Sequence, residues 1–226
     1  MCFTFEEGNL PLLRATRSVR SPDGKWIAFL TFSPASTETY AINSEGRNLH
    51  LIAGGPYGHG YGDPSWSKDG KFIYFYSSRT GSFQIWKRSL ESGTDLQLTK
   101  HGGFDPFESY DGQTIYFYRF DPAGIWSLPV SGGTESLVVA DKPQGIYARA
   151  WAVTKSGLYL LNSEAESGPS IEYYDFATRH TSQVLTLAGD PVGDFRPILG
   201  TTEDGRTLYY AQQDRQSVIK MMEISR

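Results

Sequence analysis

Few residues in this 226-residue chain have the type and spacing that chemistry requires. His50, His59, His101 and His180 form no H-x-H or H-x-x-x-H pair. The single Cys2 excludes an internal disulfide and a multi-cysteine metal cage, and no base stands beside it to activate a thiolate. The chain holds no G-x-S-x-G nucleophile elbow. The Gly-rich stretch AGGPYGHGYGD (53–63) lacks the G-K-[ST] ending of a phosphate loop, and a strand-like PSWS follows it instead of a helix. It reads as a loop between elements. Asp23, Asp69, Asp111 and Asp204 each stand directly before a glycine: Gly24, Gly70, Gly112 and Gly205. An Asp-Gly pair is turn chemistry, because the carboxylate bonds nearby backbone and the glycine supplies a positive φ. No catalytic residue, metal or cofactor is therefore expected.

The elements that position these residues recur. SPDGKWIAF (21–29), SKDGKFIYF (67–75), SYDGQTIYF (109–117), TKSGLYLL (154–161) and TEDGRTLYY (202–210) begin 46, 42, 45 and 48 residues apart. Each is a polar tight turn followed by an alternating apolar strand. In the fourth copy Gly157 takes the turn glycine's place. The remainder of the period repeats as well: KFIYFYS, FQIWKRSL and LQLT in one unit match TIYFYR, IWSLPV and SLVV in the next. Four short strands in about 45 residues is one blade of a β-propeller. With 24 Gly, 14 Tyr and 13 Phe, the composition suits many turns and half-buried pleated surfaces.

The expected fold is all-β: a β-propeller of about five four-stranded blades in a single domain, 1–226, with units at 17–53, 64–99, 106–139, 148–187 and 196–226. The last unit ends at VIKMMEISR without a fourth strand, and LPLLRAT (10–16) resembles DLQLTKH (95–101). Segment 1–16 is therefore expected to close the ring by supplying that strand. The rival expectation is that the chain is a fragment of a larger propeller. Trp66, Phe107, Trp151 and Leu199 are expected to hold matching places in the first strands and to pack between blades.

The pattern S-x-D-G-K-x-I-x-F, S-x-R-x-G-x-x-x-I-W, G-x-x-x-x-L-T, seen best in residues 67–103, resembles the TolB-like, WD40-like (PD40) propeller repeat. MMEISR and IEYYDFATRHTSQV are similar to the C-terminal propeller of some bacterial winged-helix transcriptional regulators. The resemblance covers all five units and implies the fold more firmly than any task. The sialidase-type Asp box, S-x-D-x-G-x-x-W, is not matched, because here the glycine directly follows the aspartate.

On such a scaffold the loops entering the first strands gather on one face. Tyr61, Phe104, Tyr147 and Phe195 stand in them, with Arg149 and Arg196 beside the last two. Aromatic and Arg residues on a rigid frame suit protein recognition. Three readings stay open. One is a non-catalytic, monomeric scaffold that binds a protein or peptide. Another is a small-molecule-binding or hydrolytic propeller, its site at the channel mouth among His59, His101, Arg149, Arg196, Asp63 and Asp105. A third is the propeller part of a regulator. A net charge of −4 argues against direct nucleic-acid binding, and no apolar run approaches a membrane span. The first twenty residues carry no export signal, which predicts the cytoplasm for the chain as written; a start further upstream would allow the periplasm.

Overall fold

The computed structural model describes residues 14–32, 37–54, 61–141, 150–163, 165–187, 199–202, 205–212 and 218–223. Among them are nineteen strands and no helix. The first sheet holds β1 (Arg14–Arg20), β2 (Trp26–Phe32), β3 (Thr37–Asn43) and β4 (His50–Ala53). The second holds β5 (Tyr61–Trp66), β6 (Phe72–Ser77), β7 (Gln84–Ser89) and β8 (Asp95–Gln97). The third holds β9 (Phe104–Glu108), β10 (Thr114–Phe120), β11 (Ala123–Pro129) and β12 (Ser136–Ala140). The fourth holds β13 (Trp151–Val153), β14 (Gly157–Asn162), β15 (Ser170–Asp175) and β16 (His180–Thr186). The fifth has three strands among the described residues: β17 (Leu199–Thr201), β18 (Thr207–Gln212) and β19 (Val218–Glu223). Strands consecutive in the chain are neighbours in each sheet, so each sheet is an antiparallel meander.

Arg14, Ala15 and Thr16 pair with Phe32, Thr31 and Leu30. These three residues therefore belong to the first strand of the first sheet. They are not the outer strand of the last one, which corrects the expectation for that part of 10–16. Residues 1–13 lie outside the described residues.

The turn opening each repeat is built from one set of hydrogen bonds. The Ser21, Ser67 and Ser109 hydroxyls donate to Asp23, Asp69 and Asp111 Oδ1 at 2.7, 2.7 and 2.5 Å. The same aspartate oxygen accepts the Lys25, Lys71 or Gln113 N–H at 3.0, 3.0 and 3.1 Å. Each serine oxygen also accepts the first N–H of the following strand, from Trp26, Phe72 and Thr114. Gly24, Gly70 and Gly112 close the turn at φ 71°, 70° and 70°. Thr202 and Gly205 repeat the frame in the fifth sheet; Asp204 lies outside the described residues. The fourth turn is different. Thr154 closes directly onto Gly157, which opens β14 in an ordinary strand conformation. Gly157 is needed there for space: a Cβ would stand 2.2 Å from the Tyr174 carbonyl and 2.5 Å from the Tyr173 ring.

These bonds set the charge of the turns. Asp23 is held below its ordinary pKa by the Lys25 N–H and the Ser21 hydroxyl. Asp111 is held down by the Ser109 hydroxyl and the Gln113 N–H. Burial pushes Asp69 up, but Ser67 and the Lys71 N–H outweigh it and leave it lowered.

The chain divides into two compact units, residues 1–108 with 129–133 and residues 109–128 with 134–226. In the first, Ala28, Ala41, Ile52 and Ala53 pack against Trp66, Ile73, Phe75 and Trp86. In the second, Ala150, Tyr159, Leu161 and Tyr173 pack with Leu199 and Leu208. Both clusters join the faces of two successive sheets. Burial falls across the fourth sheet: β14 is nearly all buried, whereas β16 is mostly exposed. A second device recurs in two sheets. The Arg79 guanidinium lies 4.1 Å over the Trp86 ring and pairs with Asp95 at 2.6 Å. Arg119 lies 4.0 Å over Trp126 and pairs with Glu135. Between the second sheet and β9, Glu108 accepts the Lys68 N–H at 2.9 Å. Burial raises the Glu108 pKa above its ordinary value, and it also raises that of Tyr74, whose hydroxyl faces Glu108.

Two outcomes follow. In urea titrations, Ser67→Ala is expected to cost about 1–2 kcal/mol by stranding Asp69 and the Phe72 N–H, and Gly157→Ala more than about 2 kcal/mol by overpacking against backbone; Lys71→Ala, on an exposed pair, stays within about 0.5 kcal/mol. Because the folded-state pKa of Glu108 is raised, its stabilising contribution is full below the ordinary value and is lost as pH rises through the raised one. The stability difference between Glu108→Gln and the parent should therefore move in favour of Gln from about pH 4 to pH 8. A flat difference would show that ionising Glu108 costs the fold nothing.

Candidate functional site

The first strands of the first unit share an unusual backbone feature. Arg17, Asp63 and Asp105 adopt φ 53°, 43° and 50°. Each stands four residues before its turn serine, Ser21, Ser67 or Ser109. Left-handed conformations are uncommon for residues with a Cβ and cost roughly 1–3 kcal/mol each. Arg17 and Asp63 sit at irregularities in the pairing: β1 slips register between Thr16 and Val19, and β5 between Gly62 and Ser65. Such bulges re-aim side chains and are enriched beside binding sites. Asp63 and Asp105 are followed by Pro64 and Pro106, which have no N–H to offer a ladder.

Two of these charges are paired. The Arg17 guanidinium forms an ion pair with the Asp63 carboxylate, and neither group is well exposed. Asp105 is 4% exposed. The Ser65 hydroxyl donates to the Pro106 carbonyl at 2.5 Å and ties β5 to β9. One basic and two acidic residues thus hold equivalent strained positions in three successive first strands. A site of this kind can orient charged or hydrogen-bonding groups of a ligand. Among the described residues, no group of three or more His, Cys, Asp or Glu is placed to hold a metal.

Phe104, expected in the loop-borne aromatic set, packs inward. Its ring lies 5.2 Å from Tyr76 and 5.1 Å from Phe83, which are 5.7 Å from each other. Gly62 leaves room for this trio, since a Cβ there would stand 2.3 Å from the Tyr76 ring. The backbone of Tyr61 opens β5 opposite Ser77. The side chain of Tyr61, and all of Tyr147, Arg149, Phe195, Arg196 and His59, lie outside the described residues. His101 is exposed, as is His180, whereas His50 stands 5.5 Å from the Trp26 ring.

Trp66, Phe107, Trp151 and Leu199 do not hold one register. Trp66 pairs with Ile73 immediately above its turn, whereas Trp151 pairs with Leu160 two residues further from its turn. Phe107 falls between them, two residues before its turn serine. Trp66 and Trp151 are nonetheless buried, at 9% and 2% exposure. The left-handed positions carried a sequence signal in two of three cases, an aspartate, which is enriched in that conformation. Arg17 carried none.

No family model matches the chain. An uncharacterized protein of Agrobacterium fabrum is 33% identical over 81 residues, which is 35% of this chain and 26% of that protein. Solved structures are similar over far more of the chain. TolB from Acinetobacter baumannii matches 93% of it with a TM-score of 0.74 at 20% identity, over 52% of TolB's own length. A chain of the nidogen–laminin complex matches 95% with a TM-score of 0.66 at 14% identity, over 77% of that chain. A puromycin-hydrolyzing peptidase from Mycobacterium tuberculosis matches 88% with a TM-score of 0.62 at 15% identity, over 33% of its length. The chain thus spans about a quarter of the curated relative and about half of TolB.

Four-stranded antiparallel meanders in series, with these neighbours, define a β-propeller of about four to five blades. More particularly, the fold is that of a TolB-like β-propeller.

If the left-handed backbone at Asp63 carries real cost, the side chain must compensate it. Asp63→Ala, which loses the ion pair and tolerates positive φ poorly, is expected to cost about 2–4 kcal/mol. Asp63→Asn tolerates that φ and should cost about half as much. Chemical denaturation of both variants measures this, and equal losses would mean that the backbone geometry contributes nothing.

Proposed function

We propose that this chain is a non-catalytic propeller module that binds a protein or peptide partner where its first strands begin. The observation that carries the reading is the strained, charged set Arg17, Asp63 and Asp105, repeated at one register in three successive strands. Strain held at equivalent positions fits a site organised for a ligand rather than three accidents of packing. The nidogen–laminin structure, in which a chain of similar fold belongs to a protein–protein complex, supports the choice of partner.

A second reading, a hydrolytic propeller, is favoured by the likeness to the M. tuberculosis peptidase. The chain itself holds no G-x-S-x-G motif. Panning a random peptide library on the full chain distinguishes the two. The expected outcome is a set of peptides whose affinity falls roughly tenfold or more in Asp105→Asn and is unchanged in Lys25→Ala, in the turn at the far end of the sheet. Peptides that bind all variants equally would sink the proposal. Turnover of aminoacyl-naphthylamide substrates by the purified chain would establish the hydrolytic reading instead.

A further inference from the structure

The seam between the first two sheets and the seam between the second sheet and the next are built from equivalent positions. Register makes the correspondence explicit. Trp26 and Phe72 each open the second strand of their sheet, and Ala41 and Lys87 each lie two pairs further along the facing third strand, opposite Ala28 and Tyr74. Trp66 and Glu108 each precede a turn serine, and Leu90 and Val130 each follow a third strand. Pro22 and Lys68 each follow the turn serine.

In the later seam the chain fills its own groove. The Lys87 ammonium lies 3.9 Å over the Phe72 ring and donates to the Val130 carbonyl at 3.2 Å. Glu108 accepts the Lys68 N–H beside it. In the earlier seam every one of these groups is replaced. Ala41 stands for Lys87, so no cation crosses from that position. Trp66 stands for Glu108, and Pro22, which has no N–H, stands for Lys68. A cavity of about 300 Å³ remains, lined by Trp26, His50, Leu51, Trp66, Arg88 and Leu90.

Its walls are mostly apolar, and its one formal charge is already neutralised. Arg88 pairs with Asp95 at 2.7 Å and donates to the Ile52 carbonyl. The Trp66 indole N–H is bonded to the Val19 carbonyl at 3.1 Å, so that ring offers its faces rather than its donor. Leu51, 52% exposed, and Leu90, 37% exposed, border the opening. The volume is at the lower end of small-molecule sites, which are mostly apolar with a few polar groups at the edge.

We propose that this cleft is a binding site for an uncharged planar aromatic small molecule, held by Trp26 and Trp66 where Lys87 fills the neighbouring groove. A lining without uncompensated charge would desolvate a charged ligand at a loss, and indole faces prefer flat rings in offset or edge contact. The site is separate from the strained first-strand set, and its fate is independent of that reading.

The test uses N-phenyl-1-naphthylamine, a neutral fluorescent probe, with the full chain. Saturable binding with quenching of tryptophan emission is expected. Ala41→Met, which lays an unbranched chain into the cleft, should weaken binding roughly tenfold or more, while Lys87→Met in the neighbouring groove should leave the affinity unchanged. Trp26→Ala removes a half-buried wall and should weaken binding similarly; it decides the matter if Ala41→Met fails to fold. An absence of saturable binding by the parent chain, or equal affinity in Trp26→Ala, overturns the proposal.

Discussion

A four-stranded antiparallel sheet with strands of three to seven residues has two faces to cover, and among the described residues there is no helix to cover either. Covering them with the next sheet is the constraint on which the rest of this structure depends. It explains why Ala28, Ala41 and Ala53 face Trp66, Phe75 and Trp86 in one cluster: small residues on one sheet make room for large ones on the next. In the other cluster Ala150 and Ala152 pack with Leu199 and Leu208 of the next sheet. The contrast between the buried β14 and the exposed β16 is the geometric consequence of packing thin sheets side by side. Burial of these side chains contributes roughly 25 cal/mol per Å² of apolar surface removed from water. The polar turns serve mainly to return the chain at the right register.

Those turns act on register through hydrogen bonds that are local in sequence. One serine oxygen and one aspartate oxygen satisfy two backbone N–H groups and each other. The lowered pKa values of Asp23, Asp69 and Asp111 are the electrostatic record of that arrangement, which gives the acid a structural role in the turn. A slip of one residue would turn every apolar side chain of the following strand to the wrong face. Fixing the first N–H of that strand, as Ser67 does for Phe72, guards against it.

Locality also decides what could be read from the sequence. Ser-x-Asp-Gly turns, alternating strands and the period near 45 residues depend on neighbours within one hairpin, so the four-stranded module and the propeller fold were legible. The inward packing of Phe104 was not, because it depends on Tyr76 and Phe83 in the preceding sheet and on the missing Cβ of Gly62. The shared register expected for Trp66 and Trp151 does not form, because Trp66 stands one residue before Ser67 and Trp151 three residues before Thr154, which sets the two rings at different heights above their turns. Of the strained set, Asp63 and Asp105 had a visible cue in their residue type, which tolerates positive φ, whereas the left-handed state of Arg17 stands at a bulge against β2 that its residue type does not announce.

The two seams of the first unit show how a repeat protein varies one groove without disturbing its frame. Exchanging Glu108 for an apolar residue alone would leave the Lys87 ammonium short of a nearby countercharge and the Lys68 N–H without its acceptor. Exchanging Lys87 alone would leave Glu108, already raised by burial, with less support for its ionised form. The positions therefore have to change together, and the earlier seam carries the complete alternative set: proline where an N–H had to be satisfied, tryptophan where an acid stood and alanine where a lysine crossed. Each set is internally consistent, one ionic and filled, the other apolar and open. What separates them is confined to side chains at the seam, because the turn bonds of Ser21 and Ser67 are the same to within 0.1 Å in both sheets. A turn geometry repeated that closely allows one groove to be emptied while its neighbour stays closed.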